Sequence, residues 1–282
     1  MQESNLLLGG FHQFGFWFLL GIGLAVGSFL NVVIHRMPKA LFADTTEDAE
    51  AASLPSPFGC LLSPGSTTPC CQRAIPWRDN IPVFSWLWLR AKCRYCAQGI
   101  SPRYVLVELL TGLSFAWSFQ HFGQSVTTAF YCLLFALLII LFCIDLETYY
   151  LPDYFTYSVL WLGLLGSALG YLPLNPVDAI LGAGVGYFLP WAVNFIYRLW
   201  RKRDGFGGGD FKLLAALGAW LGISAIMPIL GLASILALLG IGLVMLFRKE
   251  KPSLGRMLPF GPFLILAGVL ILVWGNPMWF IQ

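Results

Sequence analysis

Charge is what this chain has least of. Of its 282 residues, 11% are Asp, Glu, Lys or Arg and 58% are hydrophobic, whereas an ordinary soluble domain carries about 25% charged residues. The deficit excludes a water-soluble globule and a disordered chain. A net charge of +3 supplies no field for nucleic acid. No basic residue precedes the first apolar run, which carries Glu3 instead, so a cleaved signal peptide is not expected there. The seven cysteines are an odd number, and Cys132 and Cys143 lie inside an apolar run, where they read as packing residues. That usage is not a secreted disulfide scaffold. A Gly-rich dinucleotide turn and internal repeats are also missing.

What the chain does have is long apolar blocks. They fall at about 14–34, 104–119, 126–144, 155–172, 177–197, 211–223, 227–247 and 258–274. Most approach the roughly 17 to 25 residues that a helix needs to cross a bilayer. The split between the sixth and seventh is placed at 224–228. All 17 Lys and Arg residues fall in three intervals, 36–103, 198–212 and 248–256. With eight spans and an outside N-terminus, the three intervals share one side, which the positive-inside rule makes cytoplasmic. The expectation is an all-α polytopic membrane protein of about eight transmembrane helices, with a small cytoplasmic cysteine-rich, zinc-ribbon-like module between the first two. Its parts are a first helix at 14–34, a cytoplasmic loop at 35–103 and a seven-helix membrane domain at 104–282.

Within that loop, 41–57 carries Asp44, Glu47, Asp48 and Glu50 with no basic residue and reads as a mobile acidic stretch. The following part, from Cys60 to Ser101, is too small for a large apolar core and needs a staple. Cys93 and Cys96 form a C-x-x-C knuckle, and the adjacent Cys70 and Cys71 precede it. Thiols stay reduced on the cytoplasmic side, so the pairs point to structural zinc rather than a disulfide. The candidate ligands are Cys71, Cys93 and Cys96, with Cys70 or Cys60 completing the shell.

Ionisable groups in or at the edge of the spans are costly and therefore functional candidates. They are Glu108, Asp145 and Asp210. Asp145 ends the third block and Asp210 opens the sixth, after Gly207, Gly208 and Gly209. In the eight-span topology both reach the cytoplasmic face. Two converging carboxyls cannot both ionise cheaply, so one holds a proton while the other activates water, which is aspartyl protease chemistry. The glycines are expected to permit positive φ and close approach of a substrate backbone. Glu108 is open between a bond to a neighbouring helix and a functional role. Asp153, after Pro152, reads as a solvated loop acid. A transporter using the same carboxyls as a proton relay is the alternative, but it leaves the cysteine loop and the glycines unexplained.

These residues resemble the type IV prepilin peptidases, also called leader peptidase/N-methyltransferases, a family of G-x-G-D aspartyl proteases. The likeness runs through Gly27–Ile34 with Arg36, Ile75, Trp77, Asp79–Pro82, Ser85–Leu87, Cys93–Cys96, Ile100–Ser101, Arg103–Tyr104, Val107–Glu108, Asp145, Leu151–Asp153 and Gly207–Leu214. It implies cleavage of the leader of type IV prepilins and type II secretion pseudopilins after Gly, on the cytoplasmic face of the bacterial inner membrane. It also implies N-methylation of the exposed residue, usually Phe, with S-adenosylmethionine as donor. Asp145 and Asp210 match the family's catalytic pair. The cysteine loop matches the part that accompanies methylation. One departure stands out: Thr68 occupies the place of the first cysteine in the family's C-P-x-C, so a peptidase without methyl transfer is a second alternative. The presenilin-type proteases share G-x-G-D, but here Ile144 precedes Asp145 and no Pro-Ala-Leu string occurs.

Overall fold

The structure, a computed structural model, describes residues 2–42, 68, 71, 73–202, 207–248 and 259–275. The acidic stretch 41–57 lies almost wholly outside them, as do Cys60 and Cys70. The helices are α1 (Gln2–Phe42), α2 (Phe84–Trp88), α3 (Arg103–Phe122), α4 (Val126–Thr148), α5 (Asp153–Ala168), α6 (Pro176–Arg201), α7 (Gly208–Leu221), α8 (Ile226–Arg248) and α9 (Gly261–Trp274). A single-turn 3-10 segment, Ile223–Ala225, separates α7 from α8. An isolated antiparallel bridge joins Lys92 and Gly99.

Among the described residues, four helices are long and apolar enough to cross a bilayer: Gln13–Phe42, Val126–Thr148, Pro176–Arg201 and Ile223–Leu243. Gly261–Trp274 is apolar but shorter. Large side chains such as Trp17, Phe18, Leu113, Trp161, Phe188 and Leu238 stand exposed on the helices, as lipid-facing surfaces do. Several helix hydroxyls are satisfied within their own turns. Thr111 donates to the Val107 carbonyl at 2.7 Å, Thr156 to Pro152 at 3.0 Å and Ser234 to Leu230 at 2.8 Å. A solvent without hydrogen-bonding capacity demands this. The chain is a polytopic, all-helical membrane protein.

Contacts divide the chain into two units, Met1–Ile140 and Leu141–Gln282. In the first, α1 and α3 pair antiparallel with almost no side chain between them. A Cβ added at Gly23 would lie 2.8 Å from the Gly112 Cα, and one at Gly27 would lie 2.6 Å from the Glu108 Cα. Asn31 extends the seam by donating from Nδ2 to the Tyr104 carbonyl at 3.0 Å. Small residues that let backbones touch replace the hydrophobic drive that lipid cannot supply.

The second unit is organised around α7. Every residue from Leu213 to Leu221 is buried, as is Phe211. On one side α6 approaches through Gly182 and Gly186; a Cβ at Gly186 would sit 2.7 Å from the Leu214 carbonyl oxygen and 3.0 Å from the Ala215 Cα. On another, Gly163 of α5 leaves room for the Trp220 indole, whose Nε1 donates to the Val159 carbonyl at 2.8 Å. Gly268 of α9 receives Leu217. The helix stops at Gly222, whose φ of 78° a side chain would resist.

Gly186 and Gly184 test this seam, since nothing lies within 4 Å of a Cβ built at Gly184. Gly184→Ala should leave the melting temperature in detergent unchanged or slightly raised, because alanine is the better helix former. Gly186→Ala should lower stability by about 1–3 kcal/mol, the usual cost of overpacking, read as a lower melting temperature.

Candidate active site and cysteine cluster

Asp145 sits in the last turn of α4 and Asp210 in the first turn of α7. They stand 65 positions apart in sequence, yet the two carboxyls are close enough to repel each other. Asp145 is 4% exposed, while Asp210 is half-buried at the mouth of its helix. Gly261, opening α9, lies directly beside the Asp145 carboxyl. The Oδ2 of that carboxyl is buried without a hydrogen-bond partner among the described residues. Asp210 is held locally, by the Gly207 amide at its carboxyl and by its own N–H on the Gly207 carbonyl at 3.2 Å.

The glycines before Asp210 do not act as the sequence suggested. None has a positive φ, and Gly207 adopts an extended conformation at φ −72°. Gly209 is needed for space instead: a Cβ there would lie 3.0 Å from the Leu151 Cβ. At Gly208 nothing lies within 4 Å. Leu151 is buried and also approaches Gly261, so one side chain packs against the starts of both α7 and α9.

The Asp153 side chain is half-exposed, but it opens α5 rather than standing in a loop, and it receives Lys212 Nζ on both oxygens, at 2.6 and 2.8 Å. The same ammonium lies 5.4 Å from the Tyr157 ring centroid. Lys212 stands two residues beyond Asp210, so the pair ties the first turn of α7 to α5.

Glu108 of α3 has a partner in the loop that follows α1. Its Oε2 accepts the Val83 N–H at 2.8 Å. Val83 has a φ of 62°, which a β-branched residue adopts only when the surroundings enforce it. The carboxylate therefore fastens the loop to the α1–α3 pair.

The knuckle at Cys93 and Cys96 is a tight turn, closed by Cys93 N–H on the Gln98 carbonyl and Ala97 N–H on the Cys93 carbonyl at 2.8 and 3.0 Å. Cys71 joins it, and the three sulfurs lie within 4.8 Å of one another, with Cys71 and Cys93 at 4.0 Å. Zinc–thiolate bonds of about 2.3 Å put sulfurs roughly 3.8 Å apart around a tetrahedral ion. The donor set fits that metal. The Thr68 hydroxyl lies 3.0 Å from the Cys71 sulfur. Arg94 within the knuckle grips Asp79 with two bonds of 2.6 Å and holds that carboxyl below the usual carboxylate range.

The profile of the Bacterial Peptidase A24 N-terminal domain matches residues 22–122, and that of the Type IV leader peptidase family matches 132–243. A prepilin leader peptidase/N-methyltransferase of Xanthomonas campestris pv. campestris is 41% identical over 94% of this chain and 93% of its own length. Proteins of the same name from Stutzerimonas stutzeri and Neisseria gonorrhoeae are each 42% identical, over 91% and 92% of this chain and 90% of their own lengths. The chain belongs to the type IV prepilin peptidase family. None of the solved structures matches it.

As a type IV prepilin peptidase the chain has its two aspartates together, its Glu108 on the loop and three of its cysteines in one cluster. Sequence reading missed Gly261 and the Lys212–Asp153 pair. A glycine between Phe260 and Pro262 at the head of an apolar run was the available signal for the first. Nothing local signals a pair 59 residues apart.

Glu108→Ala should destabilise the loop by about 1–3 kcal/mol, the cost of an orphaned buried N–H, and speed its proteolytic cleavage. Glu108→Gln keeps an acceptor oxygen and should stay close to the parent.

Proposed function

We propose that this chain is a membrane aspartyl endopeptidase that removes the leader from type IV prepilins and type II secretion pseudopilins after Gly. It then N-methylates the new N-terminal residue, usually Phe. The observation that carries the reading is the convergence of Asp145 and Asp210 from separate helices, in a chain of this family. One carboxyl holds the proton that polarises the scissile carbonyl. The other draws a proton from water as it attacks, and the acid returns a proton to the leaving amine. The half-buried Asp210 gives water and substrate their approach, while the deeper Asp145 is shielded from competing partners.

Eight spans, in the bacterial inner membrane, put the basic intervals 36–103, 198–212 and 248–256 on the cytoplasmic side, where the substrate's basic leader waits. α7 has 14 residues, about 21 Å at 1.5 Å each, so it crosses only with help from the helices around it. Zinc is a structural ion of the cytoplasmic loop, held by Cys71, Cys93 and Cys96, with Cys70 or Cys60 as the fourth ligand. S-adenosylmethionine supplies the methyl group, and the lipid bilayer and prepilin substrates are the partners. No observation favours the proton-relay transporter, because ion transport has no use for the cysteine cluster.

Asp145→Asn or Asp210→Asn should abolish leader cleavage while the protein still accumulates in membranes. Methyl transfer to a peptide already lacking its leader should survive both, which separates the two activities. Near-normal processing by either variant would remove the aspartate pair from the mechanism. Absence of methyl transfer in the parent protein would favour the peptidase-only alternative.

Purified protein should carry about one zinc per chain, lost from Cys93→Ser and Cys96→Ser, with loosening of the loop before the helices. Metal analysis finding no zinc in protein that still cleaves and methylates would refute the metal assignment.

A further inference from the structure

Gly261 opens α9 in direct contact with the Asp145 carboxyl. A Cβ built there would fall 2.6 Å from Oδ2 and 3.2 Å from Cγ, so no side chain fits while Asp145 keeps its place. The first turn of α9 also limits which N–H can face the carboxyl. Phe263 and Leu264 donate their N–H groups to the Phe260 carbonyl, each at 3.1 Å, and Pro262 has none to give. Gly261 is the first-turn residue that abuts Asp145. Both Gly261 and Pro262 are buried, so the Gly261 N–H has no solvent partner.

We propose that Gly261 is a positioning residue for Asp145: its amide orients the carboxyl and its missing side chain supplies the space the carboxyl occupies. The start of α9 is then a third wall of the site, beside the ends of α4 and α7. Leu151 braces this wall, since it packs against Gly209 and Gly261 together. The proposal rests on the assignment of Asp145 and Asp210 as the catalytic pair. A carboxyl moved by an ångström loses alignment with substrate, which costs up to about 100-fold in rate, while substrate binding elsewhere on the protein is untouched.

The test uses the full-length enzyme in liposomes, with prepilin and a leaderless pilin peptide as separate substrates. Gly261→Ala should lower kcat for cleavage about tenfold or more with KM unchanged, and leave methyl transfer within about twofold as the check on folding. The infrared carboxyl band that disappears in Asp145→Asn should shift in Gly261→Ala. Leu151→Ala, which loosens the same wall without touching the amide, should leave that band in place. Cleavage by Gly261→Ala within about twofold of the parent, an unmoved Asp145 band, or an equal shift in Leu151→Ala would overturn the proposal. One further measurement needs no glycine variant: the Gly261 amide resonance should move on Asp145→Asn, and an unmoved resonance refutes the contact. Asp145→Asn that still cleaves would instead overturn the catalytic pair itself, whatever Gly261→Ala does.

Discussion

The second unit depends on backbone-to-backbone packing around α7. A helix apolar on all sides gains nothing from hydrophobic burial inside lipid, so contact itself must hold it. Gly182 and Gly186 of α6 supply that contact, while Gly163 of α5 and Gly268 of α9 take in the Trp220 and Leu217 side chains. Packing this close leaves α7 no freedom to slide or rotate. Because Asp210 is in its first turn, the fixed helix is also what fixes the carboxyl.

Around that fixed point the site is completed by chain ends rather than by loops. Asp145 comes from the last turn of α4, Leu151 from the link to α5 and Gly261 from the start of α9. Helix ends carry unsatisfied backbone groups, and here Gly207 and Gly261 stand at two such ends beside the two carboxyls. Rigid elements thus hold both acids, and the ion pair of Asp153 with Lys212 stiffens the same turn of α7.

In the first unit, the same close packing sets a different task. The α1–α3 seam presents Glu108 at the level where the loop returns, and the carboxylate takes the Val83 amide. A small loop without much apolar core is thereby attached at one buried bond and gathered at the cysteine cluster. The Thr68 hydroxyl lies beside the Cys71 sulfur at the edge of that cluster. The Arg73 N–H, 3.1 Å from that hydroxyl, keeps it there.

Much of this was legible in the residues themselves. Low charge and long apolar blocks dictated an all-helical membrane protein, since a bilayer accepts only helices or closed barrels. The position of Asp210 after a glycine string, Asp145 at the end of an apolar run, and C-x-x-C in a basic loop each marked chemistry by its cost or its spacing. What the tertiary structure alone decided is which backbones touch. The role of Gly209 as room for Leu151, the fastening role of Glu108, the pairing of Asp153 with Lys212 and the approach of Gly261 to Asp145 all join residues far apart in sequence. A periodic pattern shows which face of a helix is apolar, but in lipid every face is apolar. The faces that meet are selected by shape, which exists only once the helices are assembled.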